Sequence, residues 1–248
     1  RRASLPSERG RAARSPSAAM GQPVGGAGGE AAAAPRELLE LVQFLGAARA
    51  DVRAQAAELV AGLTGSDEGR AQLMLARAPL LKALVQRLGE GAVAAHCGAA
   101  LANLACEEGV PAELARLGVI DVATETLLDP ECARAHAAVV KLVANVSHAE
   151  EAAAQMWDTN GRNARHLVRL LAREPDAADE EGDALCHVAT ALCNLAQHLE
   201  GRRLLLSGGA DLLLQALPQM GMVGRACAAR RRGLAMALHN CCHAAEDA

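Results

Sequence analysis

One short string recurs near the end of successive Ala-rich helical stretches, and its period limits what this chain can fold into. The copies are Val60-Ala-Gly-Leu-Thr64, Leu101-Ala-Asn-Leu-Ala105, Val143-Ala-Asn-Val-Ser147, Leu192-Cys-Asn-Leu-Ala196 and Leu238-His-Asn-Cys-Cys242. Their central residues, Gly62, Asn103, Asn145, Asn194 and Asn240, lie 41, 42, 49 and 46 residues apart. The long third spacing has a visible cause, an acidic run from Glu174 to Asp183 inserted between two helices of its unit. Such a run is expected on a solvated loop, with attraction of a basic partner as the alternative.

A period of about 40 to 47 residues belongs to HEAT and armadillo units; tetratricopeptide and ankyrin units are shorter. In the clearest copy, residues 69–78 are expected as a first helix and Pro79 opens a second, Leu80 to Leu88. Gly89 and Gly91 then break the chain, and residues 92–107 form the third. In the next copy Pro111 opens a short helix, Gly118 breaks it, Val119 to Leu128 follow, and Asp129-Pro130 precede the long helix. Three helices per unit select armadillo over HEAT. Steps of three and four put Leu38, Leu41, Val42 and Leu45 on one helix face, and Val52, Ala56, Leu59 and Leu63 on another. No unit buries such a stripe alone, so neighbours must stack. The expected fold is all-α, an armadillo-type α-solenoid of about four to five three-helix repeats over residues 35–248. Residues 1–34 are expected as a disordered leader and linker.

Composition agrees. Of 248 residues 51% are hydrophobic, enough for a real core, yet only 1% are aromatic, so Ala and Leu fill most apolar positions and favour helix over strand. The first nineteen residues carry five arginines against Glu8, a balance of +4, so the body from Met20 holds 20 basic against 28 acidic residues, or −8. An acidic body with almost no stacking aromatics gives poor support to a general nucleic-acid role, with local patches as the alternative. No apolar run approaches the roughly 20 residues of a membrane span. Eight cysteines in a long apolar chain fit reduced thiols in the cytosol or nucleus. The Arg- and Ser-rich start is read as translated leader ahead of Met20, with an organelle transit peptide as the alternative.

Catalytic signatures are missing. The glycines from Gly25 to Gly29 are not followed by a phosphate-binding Lys, and Ser207 lacks the leading Gly of a nucleophile elbow. His96-Cys97, Cys186-His187 with Cys193, and Cys241-Cys242-His243 cluster without the paired spacings of a four-ligand metal site; no metal or cofactor is expected.

A binding role has better candidates. Asn103, Asn145, Asn194 and Asn240 carry both donor and acceptor, and at regular spacing their amides would bracket peptide bonds of an extended ligand; the alternative is that each ties turns within its own unit. Arg225, Arg230, Arg231 and Arg232 make the last helix basic, either as a clamp for carboxylates or as a solvated face. Trp157 is expected to pack.

The segment Arg231-Arg232-Gly233 to Leu238 and Asn240-Cys241-Cys242 resembles the eukaryotic armadillo-type co-chaperones of the brain protein sixteen family. The Leu-Ala-Asn-Leu string at 101–104, Asn194-Leu195 and the Leu63-Thr64-Gly65 turn before Gly69-Arg70 are similar as well. The resemblance covers about residues 36–243. It implies a non-enzymatic adaptor; the chain is expected to be monomeric and cytoplasmic, with the nucleus as the alternative location. The resemblance implies newly made translation elongation factor 2 and the cytosolic chaperonin as partners; the protein-binding candidates, from their own chemistry, are Asn103, Asn145, Asn194, Asn240, Arg231 and Arg232. The family continues past the point matching Ala248, so the chain reads as its N-terminal part. Armadillo proteins that import nuclear cargo commonly place Trp one turn before the Asn. Here Ala99, Lys141, Thr190 and Met236 stand there, which argues against that role.

Overall fold

The computed structural model describes residues 34–173, 183–207, 212–221 and 227–243. Residues 1–33, on which the expected leader and linker fall, Arg225 and most of the acidic run therefore lie outside the described residues. Among those described, every regular element is helical: α1 (Arg36–Leu45), α2 (Ala50–Leu63), α3 (Asp67–Met74), α4 (Arg77–Arg87), α5 (Ala94–Leu104), α6 (Val110–Arg116) and α7 (Val119–Leu128), followed by α8 (His136–Val146), α9 (Glu150–Leu171), α10 (Val188–Leu195), α11 (Leu199–Ser207), α12 (Leu212–Ala216) and α13 (Ala228–His243). Short 3-10 turns cover Pro130–Ala135 and Leu217–Gly221.

These helices group into five units. The first shows two helices, α1 and α2; the second is α3 to α5, the third α6 to α8, the fourth α9 and α10, and the fifth α11 to α13. The fourth keeps three-part geometry because Asn160 and Gly161 take φ of 61° and 69°, a left-handed break that divides α9 into two helical arms. The third-position helices α2, α5, α8, α10 and α13 each pack on the next, which makes the chain an armadillo-type α-solenoid.

Boundaries moved where local chemistry outweighed pattern. The second unit starts at Asp67 because the Ser66 hydroxyl accepts from the Gly69 amide at 3.1 Å, a helix cap. Pro79 sits inside the first turn of α4 instead of opening it, which costs nothing because the first four amides of a helix have no partner within it. In α2 the buried stripe is Ala56, Ala57 and Val60, whereas Leu59 is 55% exposed, contrary to its expected place on that stripe. Among the described residues, α1 and α2 have a neighbour on one side only. On the open side Leu59 lines a cleft of about 390 Å³ with Leu41, Phe44 and Val52.

Leucine fills the space between layers: Leu80, Leu81, Leu84 and Leu88 are all fully buried, each contributing about 1.5–3 kcal/mol. Ion pairs about one repeat apart add register: Arg53 with Glu90, Arg70 with Glu107 at 2.8 Å, and Arg77 with Glu113 at 2.6 Å. All are partly exposed, so their share of stability is modest.

One half-buried ring sets a pH dependence. His136, at the start of α8, has its Nε2 buried with no hydrogen-bond partner, and burial, then nearby Arg173, pushes its pKa below the ordinary 6.5. Near pH 6.5 the unfolded chain therefore binds more protons than the folded one, and stability falls as pH drops through that value. Glu90 acts in the same direction further down: its hydrogen bond from Arg53 lowers its pKa, so that contribution is present above about 4.5 and lost as pH falls through the folded value. Urea unfolding is expected to show lower stability at pH 5.5 than at 7.5, and His136→Gln should shrink that difference.

Candidate protein-binding groove

The four asparagines fall at the C-terminal ends of α5, α8, α10 and α13, and the stacking of these helices aligns them one per unit. A helix leaves its last carbonyls unpaired, and Asn145, Asn194 and Asn240 each reach back to the unit before to answer that need. Asn145 Nδ2 donates to the Ala102 carbonyl at 2.9 Å, Asn194 Nδ2 to the Ala144 carbonyl at 3.0 Å, and Asn240 Nδ2 to the Cys193 carbonyl at 3.3 Å. The acceptor in each case is the residue just before the preceding Asn. Asn194 also donates to Ser147 Oγ at 3.0 Å, and Asn103 donates to Thr64 Oγ1 at 3.1 Å. Thr64 and Ser147 are fully buried, and their hydroxyls in turn donate to Ala61 and Ala144 carbonyls.

The ties therefore run between units, not within them. They spend donor capacity: Asn194 has two oxygen acceptors, and Asn145 and Asn240 each add a cysteine sulfur, Cys106 at 3.9 Å and Cys193 at 3.7 Å, so the expected bracket around a ligand peptide bond keeps chiefly its acceptor half. Among the described residues, the Oδ1 atoms of the four half-buried amides carry no hydrogen bond. What the row offers is a series of acceptors at repeat spacing on an acidic body. Asn194→Ala is expected to lower stability by about 1 kcal/mol, since it removes one donor each from the Ser147 hydroxyl and the Ala144 carbonyl and leaves these two only each other. Chemical denaturation measures it.

Between the ends of α5 and α8 this row opens into a cavity of about 420 Å³, lined among others by Cys106, Glu107, Glu108, Pro111, Asn145 and His148. Glu107 is engaged by Arg70, whereas Glu108 is exposed and has no ion-pair partner among the described residues.

The basic helix divides. Arg230 is fully buried and clamps a carboxylate of its own chain: Nη2 donates to Asp183 Oδ1 at 2.7 Å and Nε to the other oxygen. Its Nη1 donates to the Leu171 and Arg173 carbonyls at 2.6 and 2.8 Å and to Gln219 Oε1 at 3.0 Å. The candidate clamp at Arg230 is thus an internal fastening, and Asp183, expected on a solvated loop, is buried with it. Arg232 is exposed, while Arg231 is half-buried. At about 100° per residue, Arg231 lies roughly opposite Asn240 around α13, so the helix does not bring those two together. Trp157 packs against the core and meets the His198 ring at 5.3 Å.

Among the described residues no three His, Cys, Asp or Glu side chains gather in a metal-binding group, and no helix is long and apolar enough to cross a membrane. Sequence reading missed the paired hydroxyls Thr64 and Ser147, which carried a signal: both stand two residues after the centre of the repeated string.

No family model matches the chain. It is 32% identical over 240 residues to the Homo sapiens protein named Protein HGH1 homolog, covering 90% of this chain and 57% of that protein. To the Xenopus tropicalis protein of the same name it is 31% identical over 220 residues, covering 86% and 59%. The chain thus spans less than two thirds of the length of these curated relatives. Among solved structures, a designed armadillo repeat protein in complex with a (KR)4 peptide superposes with a TM-score of 0.63 at 22% identity, covering 82% of this chain and 84% of that one. An engineered protein gives a TM-score of 0.66, also at 22% identity, covering 83% and 81%. The fold is that of a helical-repeat scaffold.

Proposed function

We propose that this chain is a non-catalytic, monomeric cytoplasmic adaptor that holds newly made translation elongation factor 2 and assists its folding with the cytosolic chaperonin. The observation that carries the binding role is the row of unpaired Asn Oδ1 acceptors along the stacked ends of α5, α8, α10 and α13. A single helix end would give one such contact; the stack gives a graded series along an extended partner. The identity of the client rests on the Arg231-Arg232-Gly233 to Asn240-Cys241-Cys242 resemblance and is supported by the similarity to the HGH1 homologs.

A tagged chain incubated with translating cytosol is expected to recover elongation factor 2 and chaperonin subunits. Recovery of neither, from an extract in which both are abundant, would overturn the assignment. The second reading is a scaffold for a short linear motif in signalling or transport, for which the armadillo fold alone speaks. Tight selection of one motif from a peptide array, without the elongation factor, would favour it.

A further inference from the structure

Three arginines in this chain repeat one local device. Each stands early in a helix and turns its guanidinium back onto the turn after the previous helix, Arg53 and Arg202 onto carbonyls six and five residues earlier and Arg70 onto the one six residues earlier. Arg53 Nη1 donates to the Ala47 and Ala48 carbonyls at 2.8 and 2.9 Å, Arg70 Nη1 to Thr64 at 3.1 Å, and Arg202 Nη1 to Ala196 and Gln197 at 3.2 and 2.9 Å. Two of them also pair with carboxylates: Arg53 with Glu90, and Arg70 with both Asp67 and Glu107. The chemistry is general, since carbonyls at a helix C-terminus carry partial negative charge and receive cations well.

At the end of α5 the same two carbonyls belong to Ala105 and Cys106, and the residue six places after Ala105 is Pro111. No guanidinium of the chain bonds these two carbonyls; Arg77 reaches the same turn, but its Nη1 donates to the Glu108 carbonyl at 3.1 Å and its Nε to Glu113 at 2.6 Å. Among the described residues no hydrogen bond reaches either carbonyl. The cavity of about 420 Å³ opens at this point, with Glu108 on its wall at the position that Asp67 holds beside Arg70. Both Asp67 and Glu108 stand five residues after the centre of the repeated string.

We infer that this cavity is a docking site for an arginine side chain of a partner protein, which completes at α5 the cap that Arg70 and Arg202 complete elsewhere. The partner's guanidinium donates to the Ala105 and Cys106 carbonyls and pairs with Glu108. A lysine ammonium matches the site poorly, because its three donors radiate from one point whereas the guanidinium fork spans two neighbouring carbonyls and a carboxylate. The inference rests on the reading of the third-helix ends as a binding groove and adds to it the chemistry of one contact.

Cys106 is exposed and lines the cavity, while Cys242 is exposed at the end of α13 and serves as an internal reference. The experiment follows iodoacetamide alkylation of both thiols by mass spectrometry in the full chain, with acetyl-Gly-Arg-Gly-amide or its Lys counterpart at matched ionic strength. The arginine peptide is expected to slow Cys106 severalfold and leave Cys242 unchanged, with the lysine peptide at least about tenfold weaker. Glu108→Gln should raise the half-protecting concentration of the arginine peptide about tenfold, the loss of one charge-assisted hydrogen bond. Pro111→Arg should protect Cys106 without peptide, raise the melting temperature and abolish any further effect of the peptide.

Equal protection by both peptides, equal protection of both thiols, or none at all would overturn the inference; if Pro111→Arg fails to fold, the Glu108→Gln result decides. Arginine protection with a failed elongation-factor pull-down leaves the pocket and removes that client. The reverse pattern keeps the client and removes the pocket.

Discussion

Arg230→Ala is expected to lower stability by about 3–5 kcal/mol, enough to leave the fifth unit unfolded at room temperature. The guanidinium is completely buried, and its loss strands the Asp183 carboxylate, the Leu171 and Arg173 carbonyls and Gln219 Oε1 at one point. Cutting one partner of a buried pair costs far more than the pair contributes, because the remaining charge has neither water nor counter-ion. Asp183→Asn should cost less than Arg230→Ala, since the amide still accepts one hydrogen bond and leaves the carbonyl caps in place. Guanidinium denaturation followed by circular dichroism separates them. Equal and small losses, below about 1 kcal/mol, would show the fastening to be replaceable.

Gly233→Val should be comparably severe, at about 3 kcal/mol or more, for a steric reason. A Cβ at Gly233 would lie 2.7 Å from the backbone carbon and the Cβ of Ala189, and 2.9 Å from its oxygen. Helices α10 and α13 touch backbone to backbone there, so the neighbour that must give way is not a flexible side chain. Ala235→Val, two residues on at an exposed position, is expected to stay within about 0.5 kcal/mol. A matched pair of melting curves tests the contrast. It also explains the glycine in the most specific stretch of sequence: Gly233 is where the last unit locks onto the one before.

The repeat, the unit count and the third-helix positions were legible because periodicity is a local property of the chain. The spacing of the Asn residues, the breaks at Gly89, Gly91 and Gly118, and the span of α7 all follow from it. What escaped were facts about pairs of residues far apart. That Asn194 bonds a carbonyl 50 residues earlier, or that Arg230 meets an aspartate 47 residues before it, has no local trace. Arg230, Arg231 and Arg232 are chemically identical in the string, yet helix geometry sends one inward and leaves another exposed. Leu59 failed for a related reason: its spacing fits a buried stripe, but burial also needs a neighbour on that side.

Partners of this chain are expected to lie along the stacked C-terminal ends of the third helices. Hydrogen exchange by mass spectrometry on the full chain, alone and with elongation factor 2 bound, measures it directly. Binding is expected to slow exchange around residues 103–111 and 145–153, where helix ends and the cavity meet, and to leave the buried amides of α4 and α7 unchanged. Slowed exchange confined to α4, α7 or α12, with the third-helix ends as open as before, would contradict it.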